Sequence, residues 1–165
     1  MKKIDAKSLN GNVFSMLDNQ WALLTAGDAK AYNTMTVSWG GLGVLWNKNV
    51  ATVYVRPQRY TLGFIENSDF FTLSFFDEAY KSALKICGAK SGKDTDKIKE
   101  AGLSPVIADD TVYFDGAQVV LVCKKIYKGE IDPKNFLDET IDKNYANKDY
   151  HKIFIGEIKE VLIQE

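Results

Sequence analysis

Residues 33–61 read NTMTVSWGGLGVLWNKNVATVYVRPQRYT. The stretch opens as a strand, loosens at a Gly-Leu-Gly turn, resumes as a strand and ends in an Arg-Pro-Gln-Arg-Tyr corner. Side chains alternate across a strand, so Asn33, Met35, Val37 and Trp39 share one face and Thr34, Thr36 and Ser38 the other. Two readings of the hydroxyl face stand: a solvated edge strand, or a strand end that meets a polar ring system. Gly40, Gly41 and Gly43 permit backbone conformations and close approaches that a Cβ would block. The corner carries Arg56 and Arg59, and the rest of the chain's 21 basic residues are lysines. Arginine suits bidentate capture of phosphate or carboxylate, and Pro57 stiffens the turn between the two.

Outward from this segment the pattern stays strand-like. WALLTAG (21–27), FFTLSFF (70–76), YFDGAQVVLVCKKIYKGEI (113–131, opening on an Asp-Gly turn) and IFIGEIKEVLIQE (153–165) are rich in β-branched and aromatic residues, with turn signals between them. Helices are expected at 77–88, with Asp77 as N-cap and Gly88 beyond its end, and at 94–103, with Asp94 or Thr95 as cap and Gly102 as stop. A weaker helix is expected over 135–146. About six strands with few helices point to an antiparallel barrel, whose closure removes exposed edges.

The 165 residues suffice for one domain with a real core. A net charge of −1, with 45% hydrophobic and 26% charged residues, gives no general attraction to nucleic acid or to an anionic membrane. A bound anion must therefore be held locally. No apolar run reaches the length of a membrane span, and MKKIDAKSLNGNVF lacks the apolar core of a secretory signal. Cys87 and Cys123 stand outside any CxxC motif, and a single histidine leaves too few soft ligands for zinc. Buried thiols in a reducing cytoplasm are the expected state, with a disulfide or a redox role for Cys87 as the alternatives.

Two further segments carry chemistry. GAKSGKDTDK (88–97) sets Ser91, Lys93 and Lys97 between glycines and ahead of a helix start, in the manner of a phosphate cradle or of a solvated basic loop; it lacks the Walker A spacing. DYHKIFIGEI (149–158) holds His151, the lone histidine, with no GxSxG nucleophile to serve.

In order along the chain, these motifs resemble the flavin reductase-like family of FMN-binding split barrels. The resemblance rests on NTMTVSWG, VYVRPQRYT, FTLSFF, CGAKSGKDTDK and DYHKIFIGEI, and runs from Asn33 to Ile158. It implies a mainly β fold: a six-stranded antiparallel split barrel with Greek-key character and a few short flanking helices. It also implies a homodimer with FMN near the subunit interface. By the same resemblance, Met35, Thr36, Val37, Ser38 and Trp39 line the isoalloxazine, with Asn33 in reach. Arg56, Arg59, Tyr60 and Thr61 surround the ribityl chain and phosphate, and Ser91, Lys93 and Lys97 complete the phosphate site. His151 matches a position linked to nicotinamide binding. Trp39 has two readings, against the ring or in the core. The implied activity is hydride transfer from NAD(P)H to flavin N5, with electrons passed on to an acceptor. The alternatives are a non-enzymatic FMN carrier serving a redox protein partner and a flavin-binding sensor or store. No Rossmann GxGxxG follows a strand, so a nicotinamide would bind on the flavin face without a domain of its own.

Overall fold

A computed structural model describes all 165 residues. Ten strands form, and every pairing between them is antiparallel. They are β1 (Lys2–Ile4), β2 (Ala22–Gly27), β3 (Tyr32–Val37), β4 (Gly40–Leu45), β5 (Lys48–Val55), β6 (Phe70–Phe75), β7 (Pro105–Ala108), β8 (Thr111–Phe114), β9 (Val119–Glu130) and β10 (Lys152–Ile163). The main sheet runs β3-β2-β6-β9-β10-β5-β4, with β1 added on β10, and β7 pairs with β8 as a separate hairpin. Helices are short: α1 (Val13–Ser15), α2 (Thr61–Asn67), α3 (Lys81–Ala89) and α4 (Lys97–Glu100).

The expected mainly β architecture holds, and the six expected strands are β2, β3, β5, β6, β9 and β10. The sheet is larger than six because Gly40–Leu45, read as a loose turn, is β4. Its backbone pairs with β5 from Gly40–Val53 to Leu45–Lys48. Trp46 and Asn47, at φ 51° and 58°, form the tight turn between them. Positive φ at both central residues is the twist that a two-residue hairpin needs.

Burial explains why the central strands read as continuous apolar runs. Leu24, Phe71, Phe75, Leu121 and Phe154 point into the barrel. Leu23, Phe76, Val120 and Val122 point outward, beneath a second cluster that includes Leu84 and Cys87 of α3 and Phe114 of β8. Strands covered on both faces lose the polar-apolar alternation of a half-exposed sheet. Both cysteines are buried and free, as expected.

The helices differ at their ends from the sequence expectation. Asp77 does cap its segment, accepting from the Ala79 N–H at 2.9 Å, but the first turn is 3-10 and the α-helix starts at Lys81. Gly88 lies inside α3 rather than beyond it. A Cβ there would sit 3.3 Å from Cβ of Thr36, so the glycine marks helix–strand contact, not helix termination. The next helix is shorter than 94–103, with Asp96 as its cap, accepting from Lys99 N–H at 3.1 Å; Gly102, at φ 66°, ends it as expected. Over 135–146 only a 3-10 segment, Glu139–Asn144, forms.

No helix is long and apolar enough to cross a membrane.

Candidate functional site

The two ends of the sheet path, β3 and β4, are consecutive in sequence and joined only by Ser38 and Trp39. Gly40 pairs with Val53, which brings this link alongside the end of β5. Lys152 pairs with Val55, which brings His151 alongside Arg56. Sheet register alone thus collects Ser38, Trp39, Tyr54, Arg56 and His151 at the seam of the barrel.

A cleft of about 270 Å³ opens there. Met35, Thr36, Val37, Ser38 and Trp39 line one side, and Tyr54, Arg56, Arg59 and His151 the other. Trp39 is 49% exposed, which settles its two readings against the core. Its ring centroid lies 5.3 Å from that of His151, with Tyr54 at 6.3 Å from the same imidazole. The Thr36 hydroxyl donates to the Leu84 carbonyl at 2.5 Å, tying α3 to β3. The hydroxyl face of β3 is therefore covered, not solvated: Thr34 is buried and donates to Leu24 O at 3.1 Å.

The two arginines have separate duties. Arg56 donates to Asp149 Oδ2 at 2.6 Å and to the Asn144 carbonyl at 2.9 Å, and its guanidinium lies 5.1 Å from the Tyr145 ring centre. The Gln58 amide reaches the same carboxylate oxygen at 2.6 Å. Gln58 and Arg56 together hold Asp149 below the usual carboxylate range. Arg56 thus fastens the segment before His151 and has its charge balanced. Arg59 makes one bond, to the Gly88 carbonyl at 2.7 Å, and faces no carboxylate partner.

Arg59 also lines a second cavity of about 1000 Å³, together with Tyr60, Ser91 and Lys93. Arg59 is the one residue that lines both cavities. Ser91 accepts from the Lys93 N–H at 3.2 Å, and the exposed Lys93 side chain is unpaired. Asn33 and Lys97 lie deeper, lining a further cavity of about 390 Å³ behind the same loop. Buried Lys97 donates to the carbonyls of Cys87 and Lys90, each at 3.0 Å, and so anchors the turn that leaves α3. Desolvation lowers its pKa. Buried Asn33 donates to the Thr61 hydroxyl at 2.8 Å, joining β3 to the start of α2.

The sequence-derived residues thus fall into three groups. Met35, Thr36, Val37, Ser38, Trp39, Arg56 and His151 share the seam cleft, with Arg59 at its mouth. Tyr60, Ser91 and Lys93 share the adjoining cavity with Arg59. Asn33, Thr61 and Lys97 support the walls. Tyr54, Gln58, Tyr145 and Asp149 were missed. Tyr54 sits two residues before Arg56 and so on the same strand face, a signal that alternation could have used. Tyr145 and Asp149 lie in a segment of short turns, where no periodicity exists to read.

His151 is buried, and its Nδ1 lies 2.9 Å from the Tyr145 hydroxyl. Burial first, then Arg56, pushes its pKa down to about 4. The imidazole is therefore neutral near pH 7 and adds no positive charge to the cleft.

The donor set fits a flat polar-edged ring carrying an anionic tail. The seam offers aromatic walls, the Ser38 hydroxyl and strand backbone, while the second cavity offers Arg59 and the unpaired Lys93 beside Ser91, with Asp28, Glu66, Asp69 and Asp110 also on its lining.

No curated protein sequence matches the chain. Among solved structures, the flavoredoxin of Methanosarcina acetivorans superposes with a TM-score of 0.70 at 22% identity, over 100% of this chain and 77% of that one. The flavoredoxin of Desulfovibrio vulgaris (Miyazaki F) gives 0.69 at 24%, over 100% and 77%. An NADH:FAD oxidoreductase of Streptomyces globisporus gives 0.65 at 15%, over 88% and 75%. At such identities these likenesses establish the split-barrel fold. The family model described as flavin reductase like domain matches residues 14–165, nearly the whole chain, and the chain belongs to the flavin reductase-like family.

Proposed function

We propose that the chain binds FMN across the two cavities that share Arg59 and works as an NAD(P)H-dependent flavin oxidoreductase. The observation that carries this reading is the position of Arg59, which borders both the aromatic cleft and the lysine-bearing cavity. A ring seated beside Trp39 and His151 would put its tail past that guanidinium towards Ser91 and Lys93. When bound, FMN would supply a hydride acceptor at its N5 and a route for electrons to a second acceptor.

The chain's own part is to hold and orient. The strand β3 and the Ser38–Trp39 link would present backbone N–H groups, and Ser38 its hydroxyl, to the ring edge. Trp39, half-exposed at the cleft mouth, and Tyr54 exclude water from one side. Arg59 and Lys93 fix the phosphate, each charge-assisted bond contributing about 1.5–3 kcal/mol. Neutral His151 offers a polar atom to the nicotinamide without repelling or attracting its charge.

Two copies are part of the proposal. Val44, Leu45 and Trp46 are exposed at the tip of the β4–β5 hairpin, and Trp39 is half-exposed just before β4, so this edge of the sheet carries apolar side chains at both ends. A second copy packed there would cover the open side of the ring. The protein would act in the cytoplasm, where its thiols stay reduced.

A second reading is favoured by the two flavoredoxin neighbours: an FMN-bound carrier reduced by another protein. The deciding experiment loads the protein with FMN and adds NADH or NADPH under nitrogen. Bleaching of the flavin absorbance within a turnover-compatible time supports the oxidoreductase. A flavin that stays oxidised until a redox protein is supplied supports the carrier, and failure to take up FMN contradicts both.

A further inference from the structure

The Tyr145–His151 contact holds more information than its 2.9 Å length. Both residues are buried, and Nδ1 of His151 is the one protein group bonded to the Tyr145 hydroxyl. Two arrangements of the shared proton are conceivable. If Nδ1–H donated to the hydroxyl oxygen, the hydroxyl's own proton would need another acceptor in a buried setting, and none is bonded to it. An unmet buried donor is costly. If the hydroxyl donates to Nδ1, both groups are satisfied. The imidazole is neutral, so its single proton must then reside on Nε2. Nε2 has no protein partner, yet is not among the enclosed, unpartnered polar atoms of the fold. It is open to the cleft that His151 lines.

We propose that Tyr145 is a positioning residue: its hydroxyl fixes His151 as the Nε2–H tautomer, so that the cleft presents an N–H donor to a carbonyl oxygen of its ligand. Tyr145 is well placed to stay put. Its ring stacks on Phe136 at 6.1 Å, packs on Tyr150 at 4.9 Å and lies under the Arg56 guanidinium. Asp149 and the Asn144 carbonyl accept from that guanidinium in turn, and Gln58 donates to the same Asp149 oxygen. The groups acting on His151 are thus Tyr145 and Tyr54 beside it, the charges of Arg56 and Arg59, and the opposing charge of Asp149. A flavin ring and a nicotinamide carboxamide both carry suitable carbonyls. Only the ligand's identity rests on the flavin reading above; the tautomer does not.

His151 is the chain's single histidine, so its imidazole signals need no assignment. Long-range proton–nitrogen correlation spectra of uniformly 15N-labelled, ligand-free protein at pH 7 should show a pyridine-type Nδ1 and a pyrrole-type Nε2. In Tyr145→Phe, which keeps the ring and removes only the hydroxyl, the two nitrogen shifts should converge. A pyrrole-type Nδ1 in the unsubstituted protein would overturn the proposal, even if the variant failed to fold. So would an unchanged spectrum in Tyr145→Phe. Addition of FMN, then of nicotinamide mononucleotide, identifies which carbonyl meets the donor, by the step at which the Nε2 proton shifts. If neither addition moves it, no carbonyl is met and the donor role fails. Failure of FMN to bind in a separate absorbance titration would count against the flavin reading and leave the tautomer assignment standing.

Discussion

Arg56 and Arg59 share a corner and a side-chain chemistry, yet one is spent on the protein and the other faces the cavity. Residue type and spacing mark both as anion-binding, and nothing local in VRPQRYT tells them apart. The difference arises from Asp149, 93 residues away in sequence from Arg56, and long-range pairing of that kind has no signature along the chain. The same holds for His151. Its isolation before the last strand was visible, but its neutral state depends on burial and on Arg56. This gives a pH prediction. In the fold the imidazole protonates near pH 4, whereas in the unfolded chain it protonates near the ordinary 6.5. Between those values the unfolded state binds more protons, so this residue's contribution is fully present above 6.5 and is lost as pH falls towards 4. Urea melts from pH 7 to 4 should show a shallower decline for His151→Gln than for the unsubstituted protein. Parallel declines would show that His151 is not buried neutral.

Among the elements, the strands were the most legible, because β-branched and aromatic runs bounded by turns survive whatever packs on them. The β4 strand was not, since Gly40, Gly41 and Gly43 have low strand propensity and the pairing with β5 overrides it. At Gly40 the absence of a side chain is required, because a Cβ would come within 2.7 Å of the Thr52 carbonyl oxygen. Gly88 misled in the opposite direction, as a helix stop that is a packing contact. Gly156 is the most demanding case. It lies at a register shift between β10 and β9, and a Cβ there would stand 2.7 Å from Cβ of Cys123 and from the Phe71 ring. Neither neighbour can retreat, because both are fully enclosed in the barrel core. Gly156→Ala should therefore cost about 1–3 kcal/mol, the usual penalty for overpacking. Chemical denaturation measures it, and a loss below about 0.5 kcal/mol would show that the strand has room there.

At the scale of the whole molecule, the sheet order places the site without any single motif demanding it. The path ends at β3 and β4, the chain crosses the seam in two residues, and the ends of β5 and β10 deliver the arginine corner and the histidine to the same place. That convergence is why three weak motifs in a fixed order carried more than any of them alone. What lay beyond reach was the support behind the site: Tyr145, Asp149 and the Lys97 anchor. The proposed dimer belongs to this scale too. Sedimentation equilibrium should give twice the 18.5 kDa of one chain, and Val44→Lys, on the exposed hairpin, should shift the population towards single chains. A mass of one chain at every concentration tested would remove the second copy from the account.

In the proposed site Arg59 links a ring-binding half to a phosphate-binding half, and paired titrations separate the two. FMN and riboflavin share the ring and differ in the phosphate, so their binding by unsubstituted protein and by Arg59→Ala separates the two halves of the site. Arg59→Ala should weaken FMN by about 10- to 150-fold, the range of one charge-assisted bond, and leave riboflavin nearly unchanged. Equal losses for both ligands, or no loss for either, would contradict that proposed link.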